Sequence, residues 1–381
     1  MKRSFLLGIW ILAAASLLSA GQDVQFKTID GVPHAINPAK PLNGTIKLEV
    51  ERIRTINPYD QSEVGLRMTL FSRDAAGNVI LFDPNGAEGH RFDVSGKYLG
   101  LVTRKGQGPG EFSPMSGYWT LFHDPGIWVF GGMKVAHFDD SGKLLKERIL
   151  KNRFLDKVDA SHFFARSILW DSQKNGTWTL KLVAFDMEGA ESTFDLLSAL
   201  NIGTIKNPAG QGGVSEGWAT PNFFYCSDPE QKRIFYGLKQ EYKILVKDYA
   251  GKDLLVIERP WERIKIGRKD IDVLFPEAAK EERLKWVYSA FPNRFLAIKD
   301  IRPMPKGFLG VFRITGPEKM ELDVFDPEGR YLYAVKLPEK PRSYQLEFFA
   351  SGYAVIEYEM ADGYAVYREY RIKNLPEIFR K

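Results

Sequence analysis

A short turn that recurs between apolar strands constrains the fold of this chain more than any other feature. Three close copies share an Asp, two variable residues, a Gly and a basic residue: Asp93–Lys97, Asp139–Lys143 and Asp326–Arg330. Looser copies occupy 186–189 and 248–252. Glycine readily adopts positive φ, and an Asp side chain accepts hydrogen bonds from the backbone of its own turn. Each copy therefore predicts two strands joined by a turn.

The spacing of these turns predicts β-propeller blades. Gly96 and Gly142 are 46 residues apart, and Gly142 and Gly189 are 47 apart. Four-stranded propeller blades repeat at about 40–50 residues. The next two intervals, 62 residues to Gly251 and then 78 to Gly329, are longer and therefore require insertions.

Two segments have the sequence expected of those insertions. Residues 201–217 are rich in glycine and predict a loop. Residues 267–293 predict a helix, because Leu284, Val287 and Phe291 recur at helical spacing. We expect this helix between blades 4 and 5, on the face where the central channel opens, with its apolar stripe buried against the propeller or a partner.

Six blades account for most of the chain, at 66–105, 115–150, 160–200, 220–260, 295–338 and 344–374. The last has room for only three strands, whereas an orphan strand is predicted at Gly44–Ile56. We therefore predict an all-β fold, a six-bladed β-propeller over 44–374, in which the N-terminal strand closes the last blade, since closure removes exposed sheet edges. Residues 22–43 are predicted to be a linker and 375–381 a tail.

Composition agrees with this fold and excludes several others. Aromatic residues make up 13% of the chain, and it has 34 glycines and 21 prolines, a mixture typical of short strands and turns. With 44% hydrophobic and 27% charged residues, the chain is not expected to be disordered, a coiled coil or a polytopic membrane protein. The net charge of +5 comes without a basic cluster, so no nucleic-acid partner is predicted.

The N-terminus has the features of a secretory signal peptide. Lys2 and Arg3 are basic, 5–18 is an uncharged and mostly apolar run, and Ser19–Gly21 supplies small residues for cleavage. The run is shorter than the ~20 residues that a helix needs to span a bilayer, and an uncleaved anchor is the alternative. A signal peptide at 1–21 predicts export to a bacterial periplasm or the extracellular space, with no membrane span after cleavage.

One blade carries a family resemblance. Gly77–Asp83, Arg91–Leu99 and Lys105–Phe112, taken together, are similar to a blade of the bacterial exported six-bladed β-propellers related to NHL-repeat proteins. The stretch Gly-Gln-Gly-Pro-Gly-Glu-Phe at 106–112 is its most specific part, and the other blades match only in the rhythm of their turns. The resemblance implies the fold and export, and it implies no particular activity.

The glycine-rich stretch at 106–110 has two interpretations. A phosphate-binding loop would need Gly-Lys-Ser/Thr opening a helix, whereas here Pro109, Glu111 and Phe112 interrupt or follow the glycines. A tight crossing between two blades fits better. We expect Glu111 to accept hydrogen bonds from backbone N–H groups and Phe112 to pack between blades.

Histidine and cysteine form no local metal motif. No two of the five histidines have the spacing of a zinc motif, so metal ligands could come together only from separate blades. The histidines are His34, His90, His123, His137 and His162. The single cysteine, Cys226, is expected to be a small buried hydrophobic residue. No metal or cofactor is predicted.

A ligand site is predicted at the mouth of the channel. In each blade the A–B and C–D turns lie on one face, and the B–C turns and D–A crossings lie on the other, where we expect the site. Five residues are predicted to contribute to it: Tyr118, Trp119, His162, Arg302 and Arg313. Aromatic rings beside cations suit a polar or anionic ligand such as a sugar or a peptide carboxylate. The alternative is that the rings pack between blades and the arginines form surface ion pairs.

Two functions follow from the sequence. The first, favoured by the absence of a local zinc motif, is a monomeric, non-catalytic binding or scaffolding module for a protein, peptide or glycan. The second is a hydrolase or lyase that uses a metal or acid–base residues in the channel, since propeller sites assembled from scattered residues leave little trace in sequence.

Cleavage of the signal peptide can be measured directly. Mass spectrometry of the exported protein should give a mature N-terminus near Gln22, because Ser19–Gly21 provides the small residues that signal peptidase requires. Recovery of a chain that retains Met1 and the apolar run at 5–18 would contradict cleavage.

Overall fold

A computed structural model describes most of the chain as strands. It describes residues 23–62, 65–66, 69–74, 76–114, 119–123, 125–170, 176–200, 205–206, 213–214, 219, 221–336, 346–349, 352–358, 363–374 and 376. Six sheets of four to six strands follow one another along the chain, and the fold is the predicted six-bladed β-propeller. The predicted signal peptide and Tyr118 lie outside the described residues.

Blades 1 to 3 are antiparallel sheets in which strand order follows chain order. Blade 1 contains β5 (Leu70–Arg73), β6 (Val79–Asp83), β7 (Glu88–Phe92) and β8 (Tyr98–Thr103). Blade 2 contains β9 (Trp119–His123), β10 (Ile127–Gly131), β11 (Lys134–Phe138) and β12 (Leu144–Ile149). Blade 3 contains β13 (Phe154–Lys157), β14 (His162–Trp170), β15 (Gly176–Phe185) and β16 (Glu191–Leu200).

The segment between blades 3 and 4, which we expected to be a loop, contains a short antiparallel pair, β17 (Ile205–Lys206) and β18 (Gly213–Val214). Blades 4 and 5 carry additional strands from the N-terminus. Blade 4 contains β19 (Phe223–Asp228), β20 (Arg233–Leu238), β21 (Lys243–Asp248) and β22 (Asp253–Glu258). Two N-terminal strands extend this sheet: β2 (Val32–Ile36) pairs in parallel with β22, and β1 (Gln25–Ile29) pairs with β2. Blade 5 contains β23 (Ile298–Pro303), β24 (Leu309–Gly316), β25 (Lys319–Phe325) and β26 (Tyr331–Lys336), and β26 pairs in parallel with β3 (Thr45–Lys47).

Blade 6 is completed by an N-terminal strand, as predicted. Its strands β27 (Leu346–Phe349), β28 (Gly352–Tyr358) and β29 (Ala365–Ile372) are joined by β4 (Val50–Ile56), which pairs with β29 in antiparallel register. The orphan strand predicted at Gly44–Ile56 is divided, because its first part is β3 and belongs to blade 5.

The segment at 22–43, which we expected to be a linker, instead contains the β1–β2 hairpin. Its turn is Asp30–Gly31, and both residues have positive φ, 51° and 81°. Asp-Gly is the favoured sequence for a two-residue hairpin turn of this kind. The signal was present in the sequence, but it lacks the Asp-x-x-Gly rhythm of the blades.

The chain divides into two compact units. The first comprises Met1–Lys47, Gly203–Tyr225 and Arg233–Leu337, and thus holds blade 5 and most of blade 4. The second comprises Leu48–Ile202, Cys226–Lys232 and Pro338–Lys381, and thus holds blades 1, 2, 3 and 6. Within the second unit, the first strands of blades 1, 2 and 3 lie side by side.

The repeated turns have the structure that the sequence predicts. In the close copies the backbone N–H of the basic residue donates to Asp Oδ1, at 2.9 Å for both Lys97 and Lys143 and at 2.8 Å for Arg330. Gly96 and Gly142 have φ of 88° and 86°. The Asp side chain thus fixes each turn through its own backbone.

The crossing between blades 1 and 2 also confirms its prediction. Glu111 Oε2 accepts a hydrogen bond from the backbone N–H of Gly108 at 3.0 Å. Phe112 is buried in a cluster with Phe82 of blade 1 and Val129 of blade 2. Lys134 Nζ lies 5.2 Å from the centroid of the Phe112 ring.

Helical segments lie between blades 4 and 5, as predicted, but residues 267–293 are not one helix. They contain α2 (Arg268–Leu274), α3 (Glu277–Lys280) and α4 (Val287–Ala290), with a 3₁₀ turn at Glu282–Leu284. A separate helix earlier in the chain, α1, is Pro58–Ser62. Pro276 separates α2 from α3, because it cannot continue a helix.

These helices form a small core of their own. Ile271, Ala278, Val287 and Phe291 are buried against one another and against Ala219. Leu274 and its neighbours also contact Ile314 of β24. The apolar stripe predicted from the sequence is therefore buried within the first unit.

No helix in the described part of the chain is long and apolar enough to cross a membrane.

Candidate ligand-binding site on blades 4 and 5

Lys239 joins the beginnings of two blades through its backbone. It follows β20 directly, and its N–H donates to the carbonyl oxygen of Asn222, the residue before β19, at 2.9 Å. Its own carbonyl oxygen accepts from the N–H groups of Ala297 and Ile298 at 2.8 and 3.1 Å. The position of Lys239 is thereby fixed between the first strands of blades 4 and 5.

A β-bulge in β23 sets the direction of the neighbouring charged side chains. Ile298 is paired with Arg313, but Asp300 is paired with Phe312, so one extra residue lies on β23. Bulges of this kind redirect side chains. Ile298 and Ile301 are fully buried, whereas the side chains of Asp300 and Arg302 are 35% and 26% exposed.

Both carboxylate oxygens of Asp300 have partners. Arg302 Nη2 lies 2.7 Å from Oδ2, and the backbone N–H of Ile301 donates to Oδ1 at 2.9 Å. Arg302 also donates from Nη1 to the carbonyl oxygen of Ile301 at 2.9 Å. Asp300 therefore holds the Arg302 guanidinium in place while leaving it partly open to solvent.

The partly buried Lys239 ammonium experiences both of these charges. Burial lowers the pKa of Lys239, Asp300 opposes the shift, and Arg302 adds to it, so that the net direction is downward. Beside it, Gln240 Oε1 is buried and accepts no hydrogen bond from any described residue. The site thus combines two cations and one engaged carboxylate, and the residue after Lys239 carries a buried acceptor that lacks a donor.

A buried carboxylate, Asp323, lies behind this site and explains the position of Arg313. Asp323 has no exposed surface. Arg313 donates to it from Nε at 2.9 Å and donates from Nη2 to Glu321 at 2.6 Å. Burial alone would lower the pKa of Arg313, but Asp323 outweighs it and raises that pKa. Arg313 is therefore a buried partner in an ion pair.

Blade 4 supplies further donors to the same carboxylate. Tyr242 Oη donates to Asp323 at 2.5 Å, and Arg259 forms an ion pair with it. Tyr331 of blade 5 donates at 2.8 Å. Burial, followed by the Asp323 charge, raises the pKa of Tyr242, so its hydroxyl remains a donor. We call Asp323 and these donors the Asp323 cluster.

The sequence predicted Arg302 and Arg313 in one site, and the structure separates them. They lie on the paired strands β23 and β24, but Arg302 is opposite Gly310, whereas Arg313 is opposite Ile298. Arg302 remains partly exposed, and Arg313 is buried. Of the two, only Arg302 has the exposure that a ligand contact requires.

His162 lies at a different end of its blade from the one predicted. It begins β14, the second strand of blade 3, and so follows the A–B turn, because the first strand is Phe154–Lys157 rather than a strand starting near residue 160. Its Nδ1 is 3.0 Å from Asp159 Oδ1 and 3.0 Å from Ser161 Oγ. Burial alone would raise the pKa of Asp159, but the hydrogen bonds from His162 and Ser161 hold it below its usual value.

Of the two aromatic residues predicted in the site, only the backbone of Trp119 lies within the described part of the chain. Trp119 begins β9, the first strand of blade 2, and the placement of its side chain lies outside the described residues, as does all of Tyr118.

The sequence did not predict Lys239 and Asp300 as site residues. A lysine in a B–C turn and an aspartate in an A strand carry no motif, and only the bulge and the backbone contacts bring them together.

Cysteine, metal-ligating side chains and a serine motif also occur outside this site. Cys226 is buried in β19, as expected. Within the described residues, no group of three or more His, Cys, Asp or Glu side chains is arranged to hold a metal ion. The pattern Gly-x-Ser-x-Gly occurs at 213–217, but a nucleophile elbow joins a strand to a helix, and Ser215 lies outside the described residues.

Comparison with known proteins supplies structural matches of low similarity. A candidate exported protein from Bacteroides fragilis is 11% identical, with a TM-score of 0.44, over 86% of this chain and 96% of its own. A member of the duf4221 family from Bacteroides vulgatus is 12% identical, with a TM-score of 0.47, over 86% and 99%. Virginiamycin B lyase from Staphylococcus aureus is 11% identical, with a TM-score of 0.41, over 85% and 100%.

No protein-family model and no curated protein matches the sequence. The structural matches are too distant to carry an argument about function.

Removing the charge of Asp323 should destabilise the protein strongly. Asp323→Asn leaves Arg259 and Arg313 buried without this counter-charge, and breaking a buried ion pair costs about 3–5 kcal/mol. The urea midpoint of unfolding should fall clearly. The same substitution at Asp195, whose side chain is 62% exposed beside Lys181, should change the midpoint little. Equal midpoints for the two variants would show that the Asp323 cluster does not stabilise the fold.

Proposed function

We propose that this chain is an exported, non-catalytic binding protein whose ligand carries a carboxylate or a similar anionic group and binds beside Lys239 and Arg302. The ligand classes are those expected from the sequence, namely a protein, a peptide or a glycan. We infer that the site opens toward the central channel that propeller blades surround.

One observation supports the proposal most strongly. Lys239 and Arg302 bring two positive charges close enough to influence each other, and the carboxylate that also acts on Lys239, Asp300, is already bound to Arg302 and to a backbone N–H. Asp300 is therefore already engaged, and a ligand anion would add negative charge beside the two cations. Burial is the main cause of the lowered pKa of Lys239, and a ligand anion would offset both the cost of that burial and the smaller repulsion from Arg302.

The chemistry of the side chains suits recognition of a carboxylate. A guanidinium presents parallel N–H donors that match the two oxygens of a carboxylate. Arg302 is held in position by Asp300, so little side-chain entropy would be lost on binding. The buried Gln240 Oε1 would accept a hydrogen bond from a ligand hydroxyl or amide.

Export is part of the proposal and has separate support. The apolar run at 5–18, the basic residues before it and the resemblance of the first blade to exported propellers all favour a secreted protein.

A hydrolase or lyase with acid–base residues at this site is the second candidate. Lys239 favours it, since burial lowers the pKa of Lys239 and so increases the fraction of neutral amine, the form that accepts a proton. Binding is preferred because Asp300, the neighbouring carboxylate, has both oxygens engaged and is poorly placed to transfer protons. Turnover of a bound ligand by purified protein would favour this second candidate.

Matched pairs of charged and neutral probes test the proposal. Calorimetric titration should show tighter binding of trialanine than of trialanine amide, or of glucuronate than of glucose, because only the first member of each pair carries a carboxylate. Arg302→Ala should weaken binding of the charged probe about tenfold or more, equivalent to about 1.4 kcal/mol.

Arg330→Ala is the matched control, since that arginine lies in a surface turn of the same unit and pairs with Asp326. It should leave binding unchanged. If charged and neutral probes bind alike, or if both arginine variants bind as the wild type does, the proposed site is wrong.

A further inference from the structure

We propose that Lys239 forms a reversible imine with a small carbonyl compound that also carries a carboxylate, a 2-oxo acid being the simplest case. This inference goes beyond the proposed function by adding a small-molecule ligand to those expected from the sequence, and it depends on that function only for recognition of a carboxylate at the same site. It assigns separate roles to the two cations: Arg302 holds the carboxylate, and the Lys239 amine reacts with the carbonyl carbon.

The first support is the fixed position of Lys239. Its N–H and its carbonyl oxygen both bond to backbone groups of other strands, at 2.8 to 3.1 Å, so its Cα cannot move independently of blades 4 and 5. Lys239 as a whole residue retains some exposed surface, whereas its ammonium group is largely desolvated. A flexible surface lysine has neither property.

The second support is the lack of a partner for the amine. Within the described part of the chain, Lys239 Nζ makes no hydrogen bond, and Asp300, the carboxylate whose charge reaches it, is bound to Arg302 and Ile301. Partial desolvation of an ammonium group that has no hydrogen-bond partner destabilises its protonated, charged form. The nearby Arg302 charge disfavours protonation further.

Both effects increase the fraction of neutral amine, which is the nucleophilic form. Desolvation and a neighbouring cation are the two devices that activate lysine for imine formation. The lowered pKa of Lys239 agrees with this geometry.

The reaction balances without another reagent. The lone pair of the neutral Nζ attacks the carbonyl carbon, forming a C–N bond and a carbinolamine. The carbonyl oxygen then leaves as water, taking the two hydrogens of the amine, and a C=N bond remains. No oxidant or reductant is consumed, and hydrolysis returns the lysine and the carbonyl compound.

The test uses the full exported chain with glyoxylate as the probe and sodium cyanoborohydride to reduce any imine to a stable amine. Peptide mapping by mass spectrometry at pH 7 should find Lys239 labelled at least tenfold faster than the exposed turn lysines Lys143 and Lys252. Propanal, which has no carboxylate, should label Lys239 more slowly than glyoxylate, and Arg302→Ala should remove that difference.

Labelling and probe binding of the wild-type protein separate this inference from the proposed function. Lys239→Arg is the control for the label, because a guanidinium does not form an imine and the selective label should disappear. If the wild-type protein binds acidic probes through Arg302 yet labels Lys239 no faster than exposed lysines, the imine proposal is wrong and the binding proposal stands. The decisive measurement is the labelling rate of Lys239 in the wild-type protein, so its outcome does not depend on whether a variant folds.

Discussion

The complete burial of one carboxylate, that of Asp323, is the constraint on which the arrangement of blades 4 and 5 depends. A buried charge without partners would cost several kcal/mol, so the surrounding elements must bring donors to it. Tyr242 and Arg259 come from blade 4, and Arg313 and Tyr331 come from blade 5. Arg259 also donates to the carbonyl oxygen of Ala39 at 2.6 Å, which ties the N-terminal segment to the same cluster.

The Asp323 cluster fixes the relative positions of the backbone segments that carry the candidate site. Tyr242 lies three residues after Lys239, and Arg313 is paired with Ile298 at the bulge that precedes Asp300. Fixing Tyr242 and Arg313 on one carboxylate therefore fixes the turn that carries Lys239 against the strand that carries Asp300 and Arg302. The cluster is rigid and buried, and the cations beside it remain partly open.

Local turn chemistry made the blades predictable from the sequence, since Asp93 and Gly96 determine their turn without help from distant residues. The same logic was available for the Asp30–Gly31 hairpin and was missed because it falls outside the repeat. His162 was misplaced because the first strand of blade 3 is only four residues long. Lys239 and Asp300 could not be paired from the sequence, because long-range backbone contacts and a bulge bring them together.

The protonation equilibrium of Lys239 tests the central claim, that its amine is desolvated and is influenced by the charges of both Asp300 and Arg302. The ¹³Cε resonance of Lys239, assigned by its loss in Lys239→Arg, should titrate at a lower pH than that of an ordinary lysine, whose pKa is about 10.4. Asp300→Asn should lower the midpoint further, because the carboxylate opposes the shift. A Lys239 that titrates together with the exposed lysines, and that does not respond to Asp300→Asn, would contradict the account.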